Sequence, residues 1–160
     1  MIPKFNISKT ESLHLTDKWI TNGHWMVKRD KADSRTAPKA LKTLLSLKLG
    51  SYRDGLSYGL TSETTPDCES IIPTRNGYLP LSNHGNPETI TFKQDSDEIN
   101  AYIYKAGNGE SEIKIGVAHK YVPLLRMGYV HVKAPTAPII ILDSEDLNGE
   151  LIAIVMPMRL

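Results

Sequence analysis

The chain has 160 residues, of which 40% are apolar and 23% charged, and its 19 basic and 18 acidic residues leave a net charge of +1. Such values fit one globular domain, or two closely packed half-units, long enough to bury a self-sufficient core. They exclude a strongly basic, dedicated nucleic-acid binder, although a local basic patch fits inside a neutral total.

Residues 2–12 are mixed and read as an edge strand or an arm. From residue 13 the pattern is strand-like. Leu13 and Leu15 alternate with polar neighbours, and Trp19-Ile20-Thr21 leads into Asn22-Gly23. Asn-Gly is the preferred pair for a two-residue type I′ turn, so Trp25, Met26 and Val27 are expected to carry the return strand of a hairpin. A charged loop at 28–33 follows. The best helix candidate covers 37–47, with Ser34 or Thr36 as cap, Pro38 in its first turn and Gly50 past its end. Ala37, Leu41, Leu44, Leu45 and Lys48 share one side of it, with Leu47 nearby, and Lys39, Lys42 and Ser46 lie opposite. Residues 51–70, including Leu56-Ser57-Tyr58-Gly59-Leu60, read as one or two short strands and a loop. Gly77, Pro80, Gly85 and Pro87 mark a boundary, with a linker at about 77–87.

The second half opens with a strand at Thr89-Ile90-Thr91-Phe92 and another at 99–104. Gly107-Asn108-Gly109 turns the chain, and Ile113-Lys114-Ile115-Gly116-Val117 returns it. A short helix is expected at about 120–127, with Pro123 still in its first turn, where it is tolerated. Tyr129-Val130-His131-Val132 is a strand, and Ile139-Ile140-Ile141-Leu142 is another, buried on both faces. An acidic turn at 143–149 precedes a last strand, Leu151-Ile152-Ala153-Ile154-Val155. The fold class is α+β, with antiparallel sheets carrying two helices on one side. Two half-units of similar rhythm, about 1–76 and 88–160, make up a single domain, although their sequences show no clear identity.

Cys68 is the only cysteine, so no intrachain disulfide forms, and the chain opens with no signal-peptide pattern. Both features favour a reducing, cytoplasmic setting. No apolar run is long enough to span a membrane. His14, His24, His84, His119 and His131 are scattered, and no nucleophile, base and orienting group fall into a set. Asp95, Asp97 and Glu98, and likewise Asp143, Glu145 and Asp146, sit in expected turns and read as solvation. No metal pattern or Gly-rich phosphate loop is present. The expectation is a protein that is not an enzyme and takes no cofactor or metal.

The chain stays apolar to its end, Val155-Met156-Pro157-Met158-Arg159-Leu160. One interpretation is a last strand tucked into the core. The other is a groove wall for a partner's apolar side chains, a use to which the adaptable Met side chain is suited. This ending resembles the C-terminus of the bacterial sliding clamp family, the beta subunit of DNA polymerase III. Further segments match in the family's order. Thr21-Asn22-Gly23-His24-Trp25-Met26 resembles the Thr-Asp-Gly-His-Arg-Leu hairpin of the clamp's second repeat. Pro66-Asp67-Cys68-Glu69-Ser70-Ile71-Ile72-Pro73 resembles the Pro-Asp-Tyr-x-x-Val-Leu-Pro segment that leaves it. Glu112-Ile113-Lys114-Ile115-Gly116 through Tyr121-Val122-Pro123-Leu124-Leu125 is similar to the strand and helix before the clamp's last strands. Gaps fall around 51–65 and 77–101.

The resemblance implies one sliding-clamp-like domain-equivalent built from the halves that flank the family's peptide pocket. The implied peptide-binding residues are Thr21, Gly23, His24, Trp25 and Met26 from the hairpin and Pro73 from the exit segment. Val155, Met156, Pro157, Met158, Arg159 and Leu160 come from the tail. Trp25 departs from the family's Arg and Met26 from its Leu. Each candidate also has a plainer reading: hairpin chemistry for Thr21 to Gly23, core for Trp25 and Met26, a surface histidine for His24 and a strand end for Pro73. The family's DNA-facing helices carry basic residues, which here implies Arg35, Lys39 and Lys42 on or before the first helix and Lys120 and Arg126 on the second. The alternative is a solvated helix face. The expected partners are short peptide motifs of polymerases or other clamp clients, and double-stranded DNA without sequence preference. Enclosing DNA would require a homo-oligomeric ring of a replication accessory factor. The rival is a clamp mimic or decoy that sequesters clamp-binding peptides without enclosing DNA.

Overall fold

The computed structural model describes residues 4–81, 87–94, 97–107 and 112–159. His84, Gly85, Asp95, Asn108, Gly109 and Leu160, all named above, lie outside these residues. The fold is α+β, with two antiparallel sheets and two short helices. The larger sheet is built from β1 (Leu13–Leu15), β2 (Trp19–Thr21), β3 (Trp25–Lys28) and β4 (Gly50–Tyr52), together with β5 (Leu79–Pro80), β9 (Tyr129–Val132), β10 (Ile139–Leu142) and β11 (Leu151–Val155). Its order is β4-β1-β2-β3-β11-β10-β9-β5. The smaller sheet is β6 (Glu88–Gln94), β7 (Asp97–Ala106) and β8 (Ile113–Ala118), in that order.

The last strand is central. β11 lies between β3 and β10, with Val155 opposite Trp25 and Ile154 opposite both Met26 and Ile140. Strands from both sides of the expected linker therefore share one sheet, and the linker itself contributes the edge strand β5, paired to β9. Pro80 suits that edge, where a missing N–H leaves no ladder bond unmade.

Period-two alternation sends successive side chains to opposite faces. Leu13, Leu15, Ile20, Trp25, Val27, Ile139, Ile141, Ala153 and Val155 join the larger core. Trp19, Met26, Ile140, Leu142 and Ile154 join a second cluster with Cys68 and Tyr78. A register shift between Ile141 and Leu142 brings Leu142 opposite Leu151. Both faces are covered, which explains why all of β10 and β11 is buried. On the first face pack α1 (Lys39–Lys42), the 3-10 turn Thr43–Ser46 and α2 (Val122–Leu125), through Leu41, Leu44, Val122, Leu124 and Leu125. Tyr104, Ile115 and Val117 of the smaller sheet join them there. The 3-10 turn Cys68–Ile71 and Ile72 cover the other face.

Three local expectations change. The first helix is shorter than 37–47: Pro38 is its N-cap, no side chain caps it, and after Lys42 the chain tightens into a 3-10 turn that ends at an extended Leu47. β-branched Thr43 favours this by turning its hydroxyl back to the Ala40 carbonyl at 2.8 Å. Gly50 is not a helix terminator. It sits in β4 at φ +140, where an added Cβ would meet the Ser62 carbonyl oxygen at 2.5 Å. Leu56–Tyr58 forms a 3-10 turn rather than a strand. The second helix matches its expected position, entered through a 3-10 turn at His119–Tyr121 with Pro123 in the first turn.

His131 is fully buried in β9, with Nδ1 3.1 Å from the Tyr129 carbonyl oxygen and Nε2 2.8 Å from that of Glu145. It thereby ties the acidic 143–149 turn to the sheet. Arg75 reaches the carbonyls of Leu147 and Gly149 and secures the same turn from the other side.

Candidate functional site

The hairpin tip is held by side chains more than by its own ladder. Asn22 donates its N–H to the Trp25 carbonyl at 3.3 Å. Its Oδ1 accepts the N–H groups of His24 at 2.8 Å and Trp25 at 3.0 Å. Its Nδ2 donates to Glu11 Oε1 at 3.1 Å. The central turn residues are thus Gly23 and His24, one place beyond the expected Asn22-Gly23, and Gly23 supplies the positive φ of +96. Thr21 closes the hairpin from inside: its hydroxyl donates to the Trp25 carbonyl at 2.6 Å and accepts the Gly23 N–H at 3.0 Å. His24 is left exposed at the tip.

The tail meets this tip within the same chain. Met156 donates its N–H to the His24 carbonyl at 2.8 Å, the chain turns at Pro157, and Met158 donates to the Gly116 carbonyl of β8 at 2.8 Å. The tail thus passes from the larger sheet to the edge of the smaller one. Beside it opens a cavity of about 740 Å³ lined by Glu11, Ser12, Asn22, His24, Asn100, Ala118, His119, Lys120, Tyr121 and Met158. The volume lies within the range that holds small ligands or a few residues of an extended chain. Met158, Ala118 and Tyr121 give it apolar surface. His24, His119 and Lys120 give it polar and cationic groups. The His119 ring stands edge-on to Tyr102 at 5.3 Å, and Lys120 Nζ lies 5.1 Å from the centre of the Tyr121 ring. Glu11 Oε2 is buried without a hydrogen-bond partner among the described residues.

Of the residues that the clamp resemblance implies, His24 and Met158 line this cavity. Thr21, Trp25, Met26 and Val155 are buried in the sheet. Alternation sets Trp25 on the helix-covered face, edge-on to Phe5 at 5.4 Å, and Met26 on the opposite one. Trp25 is therefore packed in the core, and it does not line the cavity. Gly23 shapes the turn, and nothing approaches within 4 Å of where its Cβ would stand. Pro73 follows Ile72, which packs into the Trp19 and Met26 cluster, away from the cavity lining. Met156 and Arg159 are exposed and Pro157 is half-buried, and none of the three lines the cavity. Ala118, His119 and Tyr121 line the cavity without any local sequence signal for it, since a tail contact 40 residues away creates the site. Asn22 lies within the hairpin motif, where its turn propensity accounts for it and gives no sign of the cavity.

The expected DNA-facing residues divide between two places. Lys39 and Arg126 line a second cavity of about 600 Å³ between the two helices, and Lys4 joins them from the N-terminal arm. Among the described residues the remaining lining includes Thr36, Thr43 and Asn6 and no carboxylate. Arg35 and Lys42 are exposed nearby in sequence, whereas Lys120 borders the first cavity. The charge of Arg126 is felt by Tyr104, whose hydroxyl is nevertheless pushed up to about 12 by burial.

His14 and Ser51 also make a close pair, with Nδ1 2.7 Å from Oγ. Ser51 is buried, and its hydroxyl hydrogen goes to the Thr64 carbonyl at 2.7 Å, so the histidine donates to it and the pair ties β1 to β4. Burial, followed by the charge of Arg53, holds His14 below the usual histidine range. Among the described residues no group of three or more His, Cys, Asp and Glu could hold a metal ion. No helix among them is long and apolar enough to cross a membrane. Compared with known protein families, curated proteins and solved structures, the chain gives no significant match to any.

Proposed function

We propose that this chain is a sliding-clamp-like replication accessory protein that captures short peptide motifs of partner proteins between its hairpin tip and its tail. The observation that carries this proposal is the convergence of His24 and Met158 on one cavity. They come from the two segments whose sequences most resemble the clamp's pocket. The backbone hydrogen bond from Met156 to His24 joins those segments, and the one from Met158 to Gly116 fixes the tail against β8. An apolar wall of Met158, Ala118 and Tyr121 with a polar rim suits an extended peptide with one or two apolar anchors. The carboxylate-free cleft bearing Lys4, Lys39 and Arg126 supports a second, sequence-independent contact with the phosphates of duplex DNA. One domain-equivalent does not encircle DNA, so the proposal includes assembly into a homo-oligomeric ring.

Fluorescence anisotropy with a labelled clamp-motif peptide tests the pocket. Met158→Asp, which puts a charge on the apolar wall, is expected to abolish binding while leaving the circular dichroism spectrum unchanged. Equal affinity in the variant would overturn the assignment. Mass in solution tests the assembly: about six copies fits a closed ring. A monomer that still binds peptide points instead to a clamp mimic that sequesters the motif.

A further inference from the structure

β8 is the edge of the smaller sheet that borders the cavity. On an antiparallel strand a residue's N–H and C=O point to the same side, and the side alternates along the chain. Gly116 faces away from β7, because its carbonyl accepts the Met158 N–H. The β7–β8 register runs without a shift from Ala106 opposite Ile113 to Ala101 opposite Ala118. Ala118, two residues beyond Gly116, therefore also turns its N–H outward, toward the tail side. The tail does not meet it there. At Met156 the tail has already turned to the hairpin and bonded to His24. The two paths diverge, and the cavity lined by Ala118, His24 and Met158 opens in the gap. The Ala118 carbonyl begins the 3-10 turn His119–Tyr121. Turned away from β7, its N–H enters none of the turn, loop and tail hydrogen bonds among the described residues.

We infer that the ligand of this cavity is an extended peptide that docks by its backbone, with one of its carbonyl oxygens accepting the Ala118 N–H as the next rung on the β8 edge. The inference rests on the peptide-binding proposal and adds the binding mode to it. A strand edge with an open donor is the site used in strand addition, where main-chain bonds give affinity and side-chain pockets give specificity. The apolar anchor then lies against Met158 and Tyr121, while the backbone meets the end of β8 at Ala118, beyond the rung that Met158 occupies at Gly116.

The backbone at Ala118 permits a direct test. Its φ of −58 and ψ of 134 are those of a proline. The residue before it is in a strand, which a following proline tolerates. Ala118→Pro thus removes the donor without disturbing the β7 ladder. The probe is a positional-scanning array of hexapeptides with Leu or Phe fixed at one position. The best hexapeptide is then remade with each amide replaced singly by an ester, which weakens one carbonyl acceptor and removes the N–H that follows it, a group that points to the opposite side of an extended chain from that carbonyl. Ala118→Pro is expected to weaken binding by about three- to tenfold, the worth of one neutral hydrogen bond. One ester is expected to cost severalfold against the native protein and nothing further against Ala118→Pro. Additive losses, or native affinity in a folded Ala118→Pro protein, would overturn the inference while leaving peptide binding intact. Binding of no hexapeptide by the native protein would instead remove the peptide-binding proposal, and this inference with it. Should the proline variant not fold, amide exchange at Ala118 in the native protein decides: slowing on addition of peptide is expected, and unchanged exchange overturns the inference.

Discussion

Replacing Asn22 with alanine removes three hydrogen bonds at once. The His24 N–H is exposed, so water takes the place of Oδ1 there at little cost. The Trp25 N–H is partly buried and loses an acceptor at 3.0 Å. Glu11 Oε1 loses the Nδ2 donor at 3.1 Å, on a carboxylate whose other oxygen already has no partner among the described residues. A lost neutral bond is worth about 1 kcal/mol and a partly buried group left unsatisfied about 1–3 kcal/mol, so the total is roughly 2–4 kcal/mol. For a chain of this size that lowers the melting temperature by about 5–15 °C. Urea unfolding at pH 7 reads the free energy and thermal circular dichroism the shift. Asn22→Asp separates the contributions. It keeps an acceptor for both N–H groups but sets a second carboxylate against Glu11, so its deficit at pH 7 reports the loss of the Glu11 contact. An Asn22→Ala protein within about 0.5 kcal/mol of native would refute this account of the tip.

Trp25→Ala is expected to cost about 3–5 kcal/mol, the range for truncating a buried aromatic side chain, whereas Trp25→Phe is expected to bind peptide within about twofold of native because the ring lies in the core. A large change in affinity in Trp25→Phe would return that side chain to the binding surface. His14 is held below its usual value of 6.5 by burial first and Arg53 second, so the unfolded chain takes up its proton before the native one does. Stability is therefore expected to fall as the pH drops below about 6.5, through the native pKa, and to be indifferent to this group above it. His14→Gln should flatten that fall in urea midpoints between pH 7.5 and 5.5, and an undiminished fall would contradict the assignment. Glu63, Glu88 and Glu150 are lowered by hydrogen-bonded lysines, and their contribution is present above 4.5 and lost only below it, which separates them from His14. Lys39→Glu with Arg126→Glu should weaken duplex DNA binding and lower its salt dependence, while Lys120→Glu, on the other cavity, should change it far less. Equal losses from both would dissolve the distinction between the two cavities.

Much of the sheet was legible in the sequence. β9, β10 and β11 run where short apolar segments between turn residues put them, and such segments need no long-range information. The first helix was overread because its apolar spacing at Leu41, Leu44 and Leu45 suits a 3-10 turn as well as an α-helix once Thr43 bonds back to Ala40. The hairpin turn was displaced by one residue because Asn22 acts through its side chain, whereas propensity describes only its backbone. The site was legible in part. Alternation shows that Trp25 and Met26 face opposite ways, but not that both faces are covered. The bridge from Met158 to Gly116, which borders the cavity beside Ala118 and His119, joins residues 42 apart and leaves no trace in local pattern. Lys4 escaped for the same reason, since the arm carries no periodicity that predicts where it packs.

The most direct test of peptide capture is a backbone-amide chemical-shift map of the native protein titrated with a clamp-motif peptide. The expected result is a saturable set of shifts at His24, Ala118, His119, Tyr121 and Met158, with the amides around Lys39 and Arg126 unmoved. Shifts confined to the cleft between the helices, or none at all at millimolar peptide, would contradict the assignment of the cavity between hairpin and tail.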